Sequence, residues 1–97
     1  MTLNKWIIEC HKLAVEKGWW SKDRPIPELL MLMVTELAEA MEAYRVGDRR
    51  NLEEELADLF IRLADTCGGY GINLEVAVRK KHEFNKGRPY RHGNKVA

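Results

Sequence analysis

The stretch LLMLMVTELAEAMEAYR, at residues 29–45, decides the fold because apolar side chains recur along it with the period of a helix. The predicted apolar face is formed by Leu29, Met33, Leu37, Ala40, Met41 and Tyr44. Pro27 suits the first turn of a helix, Glu28 suits the positive end of the helix dipole, and Gly47 favours termination. We therefore predict a helix over residues 27–45.

Three further segments have a helical pattern, and residues that favour helix ends lie beside them. Gly18 and the pair Gly68-Gly69 predict C-terminal ends, whereas Asn51 and Asn73 predict N-caps. The predicted helices cover residues 3–17, 52–66 and 74–85, followed by an irregular tail at residues 86–97. The expected core residues are Trp6, Ile7, Cys10, Leu13 and Ala14 in the first helix, and Leu52, Leu56, Leu59, Leu63 and Cys67 in the third. No strand-like alternation is present, so we predict an all-α four-helix bundle whose neighbouring helices are antiparallel.

The length and composition limit the class of protein. A chain of 97 residues with 45% hydrophobic and 32% charged residues is typical of one globular domain. No apolar run approaches the roughly 20 residues of a membrane span, and we expect no signal peptide. Cys10 and Cys67 lack metal-binding spacing, so we interpret both as reduced thiols and expect a cytoplasmic protein without a membrane partner.

Charge is distributed unevenly along the chain. Residues 1–78 carry nine Lys and Arg against fourteen Asp and Glu, whereas residues 79–97 carry seven against one. A nucleic-acid polymer requires a basic face over the whole domain, so we exclude it as a partner. An acidic body with a basic end suits a ligand that carries cations and phosphates, although a merely solvated basic tail is an equal alternative.

Carboxylates border the apolar stripes of two consecutive helices. Glu36 and Glu39 lie beside the stripe of the second helix, whereas Glu42 lies further toward solvent. Glu55 and Asp58 take the corresponding places on the third helix. Four carboxylates at a helix–helix seam suit a hard cation such as Mg²⁺, with Mn²⁺ as a substitute.

A structural explanation for these acidic residues stays open. Acidic residues three positions apart are common on solvated helix faces, where no metal is needed. Arg62 lies between Asp58 and Asp65 on the same helix line, and ion pairs with it are the simpler interpretation of Asp65.

The ordered set of motifs resembles the MazG-like all-α nucleoside triphosphate pyrophosphatases, in their short single-domain form. The matching motifs are E-x-x-E at Glu36–Glu39, E-x-x-D at Glu55–Asp58 and K-x-x-x-N at Lys81–Asn85. The flanking segments KGWW at residues 17–20, ELAEAMEAYR at 36–45 and RPYRHG at 88–93 also resemble that family. Thr35 stands where many relatives carry a further Glu.

The resemblance implies hydrolysis of a nucleoside or deoxynucleoside triphosphate to the monophosphate and pyrophosphate, with a role in nucleotide-pool housecleaning. It implies that Glu36, Glu39, Glu55 and Asp58 bind Mg²⁺, and that Glu36 or Glu39 activates the attacking water. Substrate-binding roles are expected for Lys81, Asn85, Arg88 and Tyr90, although the last two suit a solvated or subunit-packing tail equally well. The base and sugar preference of the substrate stays open.

Aromatic residues before the second helix provide a candidate for base recognition. Trp20, with its neighbour Trp19, lies in a loop flanked by Gly and Pro, and an aromatic ring there can stack on a base. Packing in the core is the alternative for both, and it is the expected role of Trp6.

The apolar run Leu29–Val34 predicts a subunit interface, since apolar residues surround the helix there. We expect a homodimer or homotetramer in which helices of two subunits build each pocket and complete the bundle, as the resemblance also implies. A different class of function, a non-catalytic helical interaction module with an acidic, salt-bridged seam, is the alternative hypothesis.

Overall fold

The computed structural model describes residues 1–91, and over that range the chain is helical without a β-strand. The four helices are α1 (Leu3–Glu16), α2 (Ile26–Arg45), α3 (Arg49–Tyr70) and α4 (Leu74–Lys86). The all-α prediction with four helices is therefore confirmed. Residues 92–97 of the predicted tail lie outside the described residues. None of the helices described is both long enough and apolar enough to cross a membrane.

Side-chain caps fix where three of the helices begin. Thr2 and Asn73 accept hydrogen bonds from the backbone amides of Lys5 and Val76, so the predicted cap at Asn73 is confirmed. The predicted cap at Asn51 is wrong, because Asp48 accepts from the Asn51 amide and starts α3 three residues earlier than expected. Asp48 takes the N-cap position, and Asn51 lies in the first turn of α3, where its amide needs the acceptor that Asp48 provides.

The end of α3 also differs from the prediction. Gly68 and Gly69 do not stop the helix, which continues to Tyr70 and is terminated by Gly71 at a φ of 66°. The two glycines instead permit close packing. A Cβ atom on Gly68 would lie 2.5 Å from the Cβ of His11, and one on Gly69 would lie 2.2 Å from the Trp20 ring. These positions therefore require glycine for tertiary contact rather than for a turn.

Helix α3 lies at the centre of the chain and packs against α2 on one side and α1 on the other. The three-residue connection between α2 and α3 makes these two helices an antiparallel hairpin. A small core forms where α1 meets α3, around Ile7, Ala64 and Cys67. Helix α4 joins this core through Leu74, and its residues 76–86 are exposed. The closed four-helix bundle stays a prediction about the assembly.

The buried stripe of α2 is rotated relative to the predicted one. It comprises Leu29, Met33, Glu36, Ala40 and Ala43. Leu37, Met41 and Tyr44 were expected in the core but are at least half exposed, and so is Leu13 on α1. Leu56 on α3 and Trp6 on α1, also expected in the core, are nearly half exposed. Because the side chains of Ala40 and Ala43 are small, α3 can pack closely against them. Helix α2 therefore buries the side that carries these alanines and leaves its more apolar side exposed.

Several apolar residues of α2 stay uncovered in the single chain, and we call them the outer α2 face. They are Leu30, Met31, Val34, Leu37, Met41 and Tyr44, all of them exposed. Apart from Met31, they are spaced three or four residues apart and therefore lie on one side of the helix.

Candidate metal centre

Three of the four predicted metal-binding carboxylates converge at the seam between α2 and α3. Glu36 and Glu39 project from consecutive turns of α2, and Glu55 projects from α3 across the antiparallel hairpin. One oxygen from each of the three carboxylates lies within 4.8 Å of the other two. We call this group the carboxylate cluster.

Burial makes the carboxylate cluster energetically unusual. Glu36 is only 6% exposed, and Glu55 is half-buried. Within residues 1–91, neither Glu36 Oε2 nor Glu55 Oε2 has a hydrogen-bond donor, although both atoms are buried. A buried carboxylate oxygen without a donor is costly, and either a proton or a bound cation would relieve that cost.

Arg62 compensates part of this negative charge. Its Nε donates to Glu36 Oε1 at 2.8 Å, from α3 to α2. This hydrogen bond, which outweighs the effect of burial, holds the pKa of Glu36 below its usual value. The predicted pairing of Arg62 with Asp58 and Asp65 is wrong, because the seam places Glu36 of the facing helix in reach of the guanidinium.

The proximity of the other carboxylates favours protonation of Glu55. A hydrogen bond with Glu39, together with burial and the proximity of Glu36, raises the pKa of Glu55 to about 7. At neutral pH, Glu55 therefore exchanges readily between its protonated and ionised forms. A cation bound at the carboxylate cluster would take the place of this proton.

The donor set and its dimensions fit Mg²⁺ or Mn²⁺. Both prefer carboxylate oxygens, and Mg²⁺ binds them at about 2.1 Å in an octahedral arrangement. Ligand oxygens on opposite sides of such an ion are about 4.2 Å apart. A largest separation of 4.8 Å within the carboxylate cluster therefore requires only small side-chain shifts.

Asp58, the fourth predicted ligand, lies one helical turn beyond Glu55 and outside the close group of three. It lines a cleft of about 300 Å³ together with Trp19, Glu36, Ile61 and Arg62, which we call the acidic cleft. The structure therefore places Asp58 beside the carboxylate cluster, at a position suited to a ligand that extends from it.

The predicted phosphate-binding residues lie elsewhere in the single chain. Lys81 and Asn85 are exposed on α4, and the Lys81 ammonium lies 4.8 Å from the centre of the Phe84 ring. Arg88 also packs over Phe84, and Tyr90 is exposed. None of these four residues lines the acidic cleft.

The two tryptophans of the loop have opposite environments. Trp20 is half-buried, packs edge-on against His11 and Tyr70, and donates its indole N–H to Asp65 at 2.9 Å. Trp19 is 63% exposed and lines the acidic cleft. The structure thus brings Trp19, rather than the predicted Trp20, to the acidic cleft. Helical periodicity does not extend into a loop, so the sequence carries no signal that distinguishes the two.

A second, larger cavity of about 510 Å³ adjoins the acidic cleft. The two share Trp19 and Ile61, and the second is lined largely by apolar parts of α1, among them Trp6, Cys10 and Leu13. A charged cleft therefore lies beside an apolar one, with an indole ring between them.

Comparison of the chain with models of known protein families, with curated proteins and with solved structures finds no match.

Proposed function

We propose that the protein is a Mg²⁺-dependent pyrophosphohydrolase that cleaves a nucleoside or deoxynucleoside triphosphate to the monophosphate and pyrophosphate, as a nucleotide-pool housecleaning enzyme of the cytoplasm. The observation that carries this proposal is the pair of buried carboxylate oxygens without a donor, on Glu36 and Glu55, converging with Glu39. The resemblance of the three motifs to the MazG-like family supplies the reaction.

The proposed roles of the residues follow from their surroundings. A bound Mg²⁺ supplies positive charge to phosphate oxygens and makes a coordinated water more acidic. Glu36 is held ionised by Arg62 and is suited to constant cation binding. Glu39 is exposed and forms no ion pair among the described residues, so its carboxylate is the better placed to accept a proton from water.

The residues proposed to bind phosphate are supplied by a second copy of the chain. Lys81, Asn85 and Arg88 lie away from the carboxylate cluster in one chain, and α4 is basic and exposed. The acidic cleft and this basic helix are complementary in charge. The outer α2 face would be covered in the same homodimer or homotetramer, which needs a self-complementary contact.

The catalytic proposal is tested by measuring pyrophosphate release from a panel of ribo- and deoxyribonucleoside triphosphates, with and without Mg²⁺. We expect turnover that requires Mg²⁺ and falls by at least about a hundredfold in Glu39→Gln and Asp58→Asn, since each removes a charge that positions or activates water. Glu42→Gln and Glu54→Gln are matched controls, because they remove exposed carboxylates of the same two helices.

Two results would contradict the catalytic proposal. Absence of Mg²⁺ binding by calorimetry, or equal loss of activity in the two control variants, would contradict the assignment of the carboxylate cluster. Circular dichroism of each variant verifies that the helices are retained.

The shared-site proposal is tested by mixing two inactive variants, Lys81→Ala and Glu39→Gln. If each site combines the carboxylates of one copy with the Lys81 of another, random dimers regain about a quarter of the wild-type sites. If both residues act within one chain, mixing restores nothing. Light scattering of Met41→Glu tests the outer α2 face, since a charge there should shift the assembly toward single chains.

A non-catalytic helical interaction module is the second candidate, and the exposed apolar area of the outer α2 face favours it. In that case Arg62–Glu36 is only a structural ion pair at the seam. This candidate predicts a thermal midpoint that does not respond to Mg²⁺ plus nucleotide, whereas specific binding to the folded state would raise it.

A further inference from the structure

We infer that Asp65 is a positioning residue that holds Trp19 at the edge of the acidic cleft, where the indole contacts the base of a bound nucleotide. This inference rests on the proposed function and adds to it a preference for a nucleotide over inorganic polyphosphate. Asp65 itself lies outside the carboxylate cluster and has no role in the proposed chemistry.

Asp65 connects α3 to α1 and to the loop that follows α1. Its Oδ1 accepts from Trp20 Nε1 and lies 2.9 Å from His11 Nδ1, while its Oδ2 accepts from Arg24 Nη1 at 3.2 Å. A carboxylate only accepts, so His11 carries a proton on Nδ1 in this contact. Asp65 is 8% exposed, and these donors account for the burial of its charge.

These contacts tie the loop of residues 17–25 to α3. Tyr70 adds a second link, because its hydroxyl donates to the carbonyl oxygen of Arg24. Within residues 1–91, the hydrogen bonds between this loop and α3 are made by Asp65 and Tyr70. The other end of the loop is fixed to α1, where the Trp19 amide donates to the Ala14 carbonyl at 3.0 Å.

The anchored tryptophan and the exposed one are adjacent in sequence. Trp20 fits against Gly69, where any side chain would collide with its ring, and is held by Asp65. Trp19 is consequently turned toward the acidic cleft. Asp65 lies seven residues after Asp58 on the same helix, about 10 Å along its axis. Helix α3 therefore carries Glu55 and Asp58 as well as the residue that fixes the loop of the indole.

The position of Trp19 favours a ligand with two chemical parts. Phosphates directed to the carboxylate cluster leave the remainder of the ligand at the shared wall of the two cavities, which Trp19 and Ile61 form. An exposed indole at such a wall offers a stacking surface for a base, and stacking of this kind changes affinity by about tenfold.

The test compares two probes in the presence of Mg²⁺: a non-hydrolysable nucleoside triphosphate analogue and inorganic tripolyphosphate, which lacks a base. In Asp65→Asn we expect the nucleotide to bind about tenfold more weakly and tripolyphosphate to change less than about twofold. Glu53→Gln is the control, since it removes an exposed carboxylate of the same helix and should change neither. Tyr70→Phe leaves the buried charge paired and should shift nucleotide binding in the same direction, by about two- to threefold. If Asp65→Asn does not fold, the binding of the two probes is compared in Tyr70→Phe instead.

A double-mutant cycle separates positioning from general destabilisation. If Asp65 acts through Trp19, then Asp65→Asn causes no further loss of nucleotide affinity in a Trp19→Ala background. Additive losses, parallel weakening of both probes, or no change in either would overturn the inference. If the wild-type protein binds tripolyphosphate as tightly as the nucleotide, the inference fails while the metal centre stands. If it binds neither, the proposed function itself fails.

Discussion

Replacement of Arg62 by Met removes the cation that pairs with Glu36 while retaining a long, flexible side chain on α3. The Glu36 side chain is 8% exposed and the Arg62 side chain 38%, so solvent screens the pair only from one end. Removing one partner of a fully buried pair costs about 3–5 kcal/mol. Partial exposure reduces this, and we expect a loss of about 2 kcal/mol at neutral pH.

The expected loss depends on pH in a defined direction. Arg62 lowers the pKa of Glu36 in the folded protein, so the pair stabilises the fold above the unfolded pKa of 4.5 and loses its effect as pH falls through the lowered value. The difference between wild type and Arg62→Met should therefore be largest near neutral pH. It should shrink toward zero as the solution is acidified below pH 4.5.

Thermal unfolding at fixed protein concentration, with Mg²⁺ removed, measures this effect. A loss of about 2 kcal/mol lowers the midpoint of a domain of this size by about 8–16 °C. Arg50→Met is the matched control, because Arg50 pairs with Glu54 at 3.6 Å on the solvent side of α3 and should cost less than about 0.5 kcal/mol. Equal losses in the two variants, or a loss that does not diminish in acid, would refute the reasoning.

Three further predictions follow from other contacts. If Mg²⁺ binds at the carboxylate cluster as proposed, it must displace the proton of Glu55, whose pKa is raised to about 7. Its affinity should then decrease below neutrality by up to about tenfold per pH unit, and calorimetry that shows no pH dependence would contradict this. Gly69→Ala should destabilise the fold by about 1–3 kcal/mol in a denaturant titration, because the added Cβ collides with the Trp20 ring. Gly87→Ala is the control and should change stability by less than about 0.5 kcal/mol, because a Cβ there would make only an ordinary van der Waals contact with the Phe84 carbonyl oxygen. Asn73→Ala should cost about 1 kcal/mol by removing the cap of α4, measured as a shift in the urea midpoint, and an unchanged midpoint would show that the cap is replaced by water.

The number and type of the helices follow directly from the sequence, because the apolar period and the glycine and asparagine signals are local properties. The predicted ends at Gly18 and Gly47 agree with the structure, where both glycines have positive φ values just beyond α1 and α2. The prediction failed at Gly68-Gly69, since a glycine that admits a neighbouring side chain looks the same in sequence as one that ends a helix.

The sequence also identified the side of α2 and α3 on which the carboxylates lie. It did not identify which apolar residues would be buried: Leu37 and Met41 are more hydrophobic than Ala40 and Ala43, yet the two alanines are buried and the two larger side chains are exposed. Small side chains allow two helices to approach closely, and a hydrophobic pattern alone does not indicate where that happens.

The sequence did not predict ion pairs between residues that are far apart along the chain. The pairing of Arg62 with Glu36 joins residues 26 positions apart, and that of Arg24 with Asp65 joins residues 41 apart. Local spacing instead favoured ion pairs within α3.

Titration of the isotopically labelled protein with Mn²⁺, followed by nuclear magnetic resonance, tests the central claim most directly. The paramagnetic ion broadens signals from nuclei close to it, and Mn²⁺ uses the same oxygen ligands as Mg²⁺. We predict early broadening at Glu36, Glu39 and Glu55 that is reversed by excess Mg²⁺, is lost in Glu55→Gln and is retained in the control variants Glu42→Gln and Glu54→Gln. Broadening that survives in Glu55→Gln, or that is lost equally in the two control variants, would show that the three converging carboxylates do not form a metal centre.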